Sequence, residues 1–407
     1  MQNNIMTNLP QGWKMETLGE ILSSDKYSIK RGPFGSALKK SFFVEKGIRI
    51  FEQYNPINND PHWKRYFISH EKFQELEAFK ATEGDLLISC SGTLGKIVEL
   101  PKDTEMGIIN QALLKIRLNN IKILNSYFIY YFNSPIMQEK ILESTLSSTI
   151  KNIASVKILK QIEIPLPPLK KQERIVGILD ESFAKIDESI KILEQNLLNL
   201  DELMQSALQK AFNPLKDNAK ENYKLPQSWE WKSLEEISEN ISAGGDKPKN
   251  CTESKTAKNQ IPVYANGVNN NGLVGYTDKA TIIKPSLTIS ARGTIGFVCI
   301  RKEPYFPIVR LISLIPCENI LCLHYLYFCL NFFIAKGEGS SIPQLTIPKF
   351  KSLQIPLPPL KEQEQIAKHL DFVFEKTKAL KELYTKELKD YEELKQSLLN
   401  KAFKGKL

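Results

Sequence analysis

Apolar residues follow two different spacings along this chain. Between residues 22 and 160 they come in short runs, Ile48–Phe51, Asp85–Ser89, Ile97–Leu100 and Leu113–Leu118, separated by turn-forming residues. That pattern predicts short strands, with one helical stretch near Ser126–Leu142. From Gln172 the period changes. Ile175, Leu179, Phe183, Ile186, Ile190, Leu193, Leu197, Leu200, Met204 and Leu208 follow in steps of three or four, the seam of a coiled coil. A second such stretch carries Ile366, Leu370, Val373, Leu380, Tyr384, Leu388, Tyr391, Leu394 and Leu398. A helix of about 40 residues rises roughly 60 Å, too far to pack inside one small domain.

The two helical stretches are copies of each other. Ile164–Phe212 and Ile355–Phe403 align without a gap at a constant offset of 191. Both open on Ile-Pro-Leu-Pro-Pro-Leu and close on Lys-Ala-Phe. The Pro-rich opening is expected to stop any strand and to favour a helix start. Weaker matches pair Leu9–Trp13 with Leu225–Trp229, Ile88–Gly95 with Ile289–Gly296, and Tyr127–Asn133 with Tyr325–Asn331. Their order is the same in both halves, so the chain is a duplication, and such a repeat fixes the architecture. The offset falls from 216 at Leu9 to 201 at Ile88 and 191 at Ile164, so the second globular part is the shorter.

The expected fold is α+β, with two repeated α/β domains separated by a pair of long antiparallel coiled-coil helices in pseudo-twofold symmetry. The boundaries are 1–163 for the first globular domain, 164–212 for the first spacer helix and 213–224 for a linker. The second globular domain spans 225–354 and the second spacer helix 355–407.

Composition narrows the function. The chain has 407 residues and a net charge of +9. Residues 1–160 carry 21 basic and 16 acidic side chains, and residues 223–354 carry 15 and 10. Residues 161–222 reverse the balance, with 8 basic against 11 acidic. Two basic globular parts suit a polyanion, DNA above all. No signal-peptide or membrane-length apolar run is present, so a cytoplasmic location is expected. The six cysteines form no Cys-x-x-Cys pair. Cys322 and Cys329, in an aromatic helix-like stretch, read as core rather than as zinc ligands.

Two basic modules on a spacer suit a split DNA site, because duplex DNA presents the same face about every 34 Å. Arg and Lys can bond guanine edges, Asn and Gln adenine edges, and any of them can instead hold phosphate. In the first half the candidates are Lys30, Arg31, Ser36, Lys39 and Lys40 around a Gly/Pro loop, Ser91 and Thr93 in the Gly-Thr-x-Gly turn, and Asn110 with Gln111. In the second half they are Lys247, Asn266, Asn269, Asn270, Arg292 and Thr294. Each could instead be a solvated surface side chain, and the glycines of the Gly-Thr-x-Gly turns could serve only a tight strand connection.

These features together resemble the specificity (S) subunit of a type I restriction–modification enzyme over essentially the whole length. The resemblance rests on Ile-Ser-x-x-Gly-Thr-x-Gly at 88–95 and 289–296 and on Pro-Leu-Pro-Pro-Leu-x-x-Gln-Glu at 165–173 and 356–364. Arg31-Gly32-Pro33-Phe34-Gly35-Ser36 adds to it. Lys171 departs from the acidic residue common at its position, which Glu362 supplies in the second copy. The resemblance implies two target-recognition domains, each reading half of an asymmetric bipartite site in double-stranded DNA. It implies helices that set the spacer and recruit two adenine-methylating (M) subunits, then the ATP-driven restriction (R) subunits, in DNA modification and phage defence.

Enzymatic machinery is not legible. No Asn/Asp-Pro-Pro-Tyr/Phe occurs, and Gly95-Lys96 lacks the first Gly and the Ser or Thr of a P-loop. The four histidines, at 62, 70, 324 and 369, are scattered. The expectation is a non-catalytic subunit holding no metal or cofactor, with S-adenosylmethionine, ATP and Mg²⁺ on its partners. Two alternatives stay open. One is the specificity partner of a fused restriction–methylation enzyme; the other is a coiled-coil scaffold that binds protein or RNA.

Overall fold

The structure, a computed structural model, describes residues 9–143, 153, 155–216, 226–334, 337–338 and 345–407. Most of the linker expected at 213–224 lies outside the described residues. The chain forms two compact units: Met1–Leu193 with Lys386–Leu407, and Glu194–Thr385.

The first unit opens with strands β1 (Lys14–Thr17), β2 (Ile29–Arg31), β3 (Ile48–Phe51) and β4 (Leu86–Ser89). It continues with β5 (Ile97–Glu99), β6 (Gly107–Ile109), β7 (Leu113–Ile116) and helices α1 (Asn125–Phe132) and α2 (Pro135–Glu143). Strand β8 (Glu163–Leu166) leads into helix α3 (Leu169–Lys216). The four apolar runs of the sequence are β3, β4, β5 and β7. β2, β7, β4 and β5 make one antiparallel sheet in that order. β3 and β6 pair in parallel within a five-stranded sheet completed by Phe43–Val44, Phe67–Ile68 and Lys80–Ala81. These strands read as runs rather than alternations because both faces are covered. Leu86 and Ile88 of β4 face a core with Tyr127, Phe128, Tyr131 and Phe132. Leu87 between them faces Phe51, Val98 and Leu113.

Two sequence expectations need correction here. The single helix expected over 126–142 is two helices: the Ser134 hydroxyl donates to the Tyr131 carbonyl at 2.6 Å, and Pro135 begins a new helix where its missing N–H costs nothing. The Pro-rich opening does not stop a strand either. Ile164-Pro165-Leu166 pairs with β1, Met15 facing Pro165. The ladder has only two strands, so an edge N–H can be dispensed with. The Pro165 carbonyl accepts from the Tyr127 hydroxyl at 2.7 Å.

The second unit repeats this plan. Its strands are β9 (Glu230–Ser233), β10 (Ser238–Ala243), β11 (Ile261–Tyr264), β12 (Leu273–Thr277) and β13 (Ser286–Ile289). Then come β14 (Val298–Arg301), β15 (Phe306–Pro307), β16 (Ile312–Pro316) and helix α4 (Leu323–Phe333). Strand β17 (Gln354–Leu357) precedes helix α5 (Leu360–Phe403). The sheet order β10-β16-β13-β14 copies β2-β7-β4-β5, and β11 pairs with β15 in parallel as β3 does with β6. Trp231 faces Pro356 across β9 and β17, and Tyr325 donates to the Pro356 carbonyl at 2.8 Å. Cys329 is buried in this unit's core and Cys322 packs at its edge, while His324 Nδ1 lies 2.7 Å from Asp371.

Each globular part is closed by two helix segments. In the first unit, Ile175 and Leu179 near the start of α3 share the core with Leu399, Ala402 and Phe403 at the end of α5. Further along α3, Asp187 pairs with Lys395 at 2.5 Å, so the segments run antiparallel. In the second unit Leu208 and Phe212 of α3 share the core with Ala367 and Leu370 of α5, and Asp201 pairs with Lys381. A buried glutamine locks each helix start. Gln172 accepts from the Leu124 N–H and donates to the Lys122 and Pro167 carbonyls; Gln363 does the same with Cys322, Ile320 and Pro358. The position of Lys171 and Glu362 also does equivalent work. Lys171 donates to the Gln11 carbonyl, and Glu362 accepts from the Trp229 indole.

The α3 seam has Leu179, Ile186, Leu193 and Leu200 buried at seven-residue spacing. Along α5 the buried line runs through Gln363, Leu370 and Thr377. Leu380 and Leu394, assigned to the seam from sequence, are 38% and 44% exposed. Thr377 holds the heptad position that periodicity in apolar residues skips. Among the described residues no helix is long and apolar enough to cross a membrane.

Candidate nucleic-acid interface

In the first unit, four loops meet at one end of the β2-β7-β4-β5 sheet. Gly32, just after β2, donates to the Leu113 carbonyl at 2.9 Å, and a Cβ there would lie 1.8 Å from the Asn110 carbonyl oxygen. Only glycine allows that approach. Cys90 donates to the Ala112 carbonyl at 2.8 Å, and Asn110 to the Phe51 carbonyl at 3.0 Å. The Gln53 amide donates to both the carbonyl and the hydroxyl oxygen of Ser91. Arg31, Gln53, Ser91, Asn110 and Gln111 are thereby gathered.

The cluster has a firm base and an exposed rim. Buried Arg49 donates to the Pro61 and Trp63 carbonyls at 2.9 and 2.7 Å, fixing the loop after β3. Tyr54 stacks on Trp63 with ring centroids 4.3 Å apart and remains 44% exposed. Phe34 is 66% exposed, with the Arg31 guanidinium 5.4 Å from its ring. Gln111, Thr93, Ser36, Lys39 and Lys40 are exposed. Burial pushes the Cys90 thiol up to about 12, so it stays protonated and unreactive, although nearby Arg31 pulls the other way. Burial also raises the Glu52 carboxyl above its ordinary value, opposed by Arg65. Lys30 stands apart from the rest. It alternates with Arg31 along β2, and its ammonium lies 5.4 Å from the Tyr27 ring and 5.1 Å from the Phe79 ring.

The second unit builds the same convergence with other side chains. Gly244, just after β10, donates to the Leu311 carbonyl at 2.8 Å, and a Cβ there would meet the Ile308 nitrogen at 2.6 Å. Ile308 donates to the Tyr264 carbonyl at 2.9 Å, as Asn110 does to Phe51. Asn266 takes the place of Gln53: its Oδ1 accepts from the Ala291 N–H at 2.8 Å and its Nδ2 donates to the Val309 carbonyl at 2.6 Å. Both ends of this predicted contact residue are thus committed to holding loops. Asn269, Asn270 and Lys247 are exposed, and Asn270 sits in the left-handed region at φ 48°. Buried Arg301 sits over the Tyr264 ring at 3.5 Å and donates to the Thr288 hydroxyl and the Asn271 carbonyl, so it braces the asparagine loop. Arg292 Nε and Thr294 Oγ1 are buried atoms without a hydrogen-bond partner among the described residues.

Residue type alone put Asn266, Asn269 and Asn270 among the second-half candidates. Backbone bonding places the equivalents of Asn110 and Gln111 at Ile308 and Val309. The signal was available: Tyr127 and Tyr325 match at an offset of 198, which carries Gln111 to Val309 and Ala112 to Arg310. Gln53 and Tyr54 were also missed, since nothing marks a loop residue as tethered to another loop.

Residues 10–198 and 226–390 match the family model described as the type I restriction modification DNA specificity domain. The chain belongs to this family. The specificity-domain matches cover both units, so the duplication is a duplication of that domain. A Mycoplasma pneumoniae chain named as a type I specificity subunit is 33% identical over 221 residues, 53% of this chain and 56% of that relative. The chain thus spans only about half of that relative's length. The specificity subunit of the Escherichia coli type I enzyme EcoBI is 23% identical over 359 residues, covering 79% of this chain and 73% of the relative. Among solved structures, the HsdS subunit from Thermoanaerobacter tengcongensis superposes with a TM-score of 0.64 at 20% identity over both full chains. A structure from a study of type I R-M complex assembly and conformational transition gives 0.80 at 20% identity, over 98% of this chain and all of the other. These likenesses confirm the α+β fold with two repeated domains.

Proposed function

We propose that this chain is the DNA-specificity subunit of a type I restriction–modification system, and that each unit reads one half of an asymmetric, split site in double-stranded DNA. One observation carries the reading: the same four-loop convergence is built twice, on one backbone plan, with different side chains at its rim. Equal scaffolds with unequal tips suit two different half-sites. Arg31, Gln111 and Tyr54 supply hydrogen bonding and stacking in the first unit, and Lys247, Asn269 and Asn270 supply it in the second.

The long helices would hold the spacing between half-sites and dock two methyltransferase subunits, with the restriction subunits joining afterwards. Each helix contributes to both units, and its surface keeps Ile192, Leu198, Phe372 and Leu383 about half exposed, which suits further protein contact. The chain itself would be non-catalytic. S-adenosylmethionine, ATP and Mg²⁺ would act on the partner subunits, in the cytoplasm.

Selection of bound or methylated duplexes from a random pool, using the chain assembled with its methyltransferase subunits, tests this. A consensus of two short unlike blocks separated by a fixed unspecified gap is the expected result. Recovery of one continuous block, or of no sequence preference, would refute it.

A further inference from the structure

Two consecutive residues of the second unit, Val309 and Arg310, hold left-handed backbone angles, φ 53° and 59°. For a β-branched residue such as valine this conformation is a rare outlier. It persists only where the surroundings over-determine it, and it clusters at functional sites. Four hydrogen bonds do that here. Val309 and Arg310 donate to the Gly245 and Gly244 carbonyls, each at 2.8 Å; Gly244 donates to Leu311; and the Val309 carbonyl accepts from Asn266. The strained turn lifts both side chains to the surface, with Val309 51% exposed. Arg310 is exposed as well, and no hydrogen bond or ion pair to another described residue holds its guanidinium.

Arg31 pairs with Leu114 across β2 and β7, and at the same place in the second unit Ala243 pairs with Ile312. Thus the second unit has lost the arginine that precedes its close-approach glycine. It gains one on the facing turn, where the first unit has Ala112. Each convergence therefore keeps one arginine beside its glycine, delivered from the strand end in the first unit and from the facing turn in the second.

We infer that Arg310 is a specificity-determining residue of the second unit, reading a guanine edge in its half-site. This rests on the DNA reading proposed above. A guanidinium fork can donate to both acceptors of guanine in the major groove, which lysine cannot do in the same geometry. A turn fixed on four bonds would spare the backbone part of the ordering cost, leaving only the side chain to be aimed.

The test uses the full chain assembled with its methyltransferase subunits and a random duplex pool, comparing wild type, Arg310→Ala and Arg310→Lys. The wild type should select a guanine at one position of the second half-site. Arg310→Ala should lower preference there by about 5- to 150-fold, the range of one bidentate contact, and leave the first half-site unchanged. Arg310→Lys should retain overall affinity while losing most of that preference. Three results would overturn the inference and leave the DNA reading intact: a uniform loss across sequences, which marks a phosphate contact; full retention of preference by the lysine variant; or a wild-type second half-site without guanine. A wild type that selects no split site would sink both.

Discussion

Removing the Phe403 ring should destabilise the first unit without touching the second. Phe403 is fully buried, although it lies near the end of the chain. Its ring meets Tyr127 edge-on at 5.3 Å and Tyr131 at 5.1 Å, with interplanar angles of 73° and 75°. Phe403→Ala removes this buried volume from a packed core, a change that costs about 3–5 kcal/mol. The two aromatic contacts account for about 0.5–1.5 kcal/mol each within that figure. Domain stabilities are about 5–15 kcal/mol, so a large share of the first unit's stability is at stake. Hydrogen exchange read by mass spectrometry in a urea series resolves the units. Tryptophan fluorescence gives a second readout, because Trp13 and Trp63 belong to one unit and Trp229 and Trp231 to the other. Protection of the first unit should fall by the full amount, and the second should change by less than about 0.5 kcal/mol, as distant sites do. Phe212→Ala should do the reverse, since Phe212 packs against Tyr325 at 5.8 Å and Phe332 at 5.4 Å. Equal destabilisation of both units by either variant, or a loss below about 1 kcal/mol, would refute the claim that each helix end closes one particular core.

Other substitutions probe the remaining joints. Gln172→Ala strips the partners from the Leu124 N–H and from two carbonyls, and should cost the first unit about 2–5 kcal/mol in urea denaturation. Val309→Gly relieves a backbone strain of about 1–3 kcal/mol at the price of greater chain entropy; a net gain of about 1 kcal/mol in the second unit should show as a higher urea midpoint. Glu52 has a raised folded-state pKa from burial, so it favours the fold while protonated. That contribution is complete below the unfolded pKa and is lost as pH rises through the folded one. Glu52→Gln should therefore flatten the decline in first-unit stability as pH rises above the ordinary glutamate value of about 4.3, and an unchanged slope in a pH-resolved titration would count against it. Removing one heptad from both α3 and α5 should change the gap between half-sites in the selected DNA and leave each half-site sequence as it was.

The strands and helices were well marked in the sequence. Both faces of β3, β4 and β7 are buried, so they appear as unbroken apolar runs, and α3 carries its seam in plain heptads. The errors fell where backbone chemistry depends on neighbours. Pro165 sits in a strand because that ladder has a free edge, and Thr377 holds a seam position that hydrophobicity does not flag. The candidate interface was half legible. Arg31, Ser91, Asn110 and Gln111 stood out by residue type and do converge, but Asn266 proved to be a tether, and Val309–Arg310 carried no motif.

Duplication, helix length and the divergence of the globular parts between constant helices are properties of one-dimensional order, and the sequence alone determined them. Chain order and equal helix length already implied an antiparallel pair, but which side chains complete each core was left to the tertiary structure. An amphipathic seam says that a partner exists, but a buried ring such as Phe403 is placed only by the cavity between Tyr127 and Tyr131 that receives it. The loops followed the same logic. Gly32 and Gly244 mark close approach of two backbones, but the residues opposite them, at Asn110 and Ile308, are chosen by hydrogen bonds between segments more than sixty residues apart in the chain. Long-range backbone pairing of that kind leaves no local pattern to read.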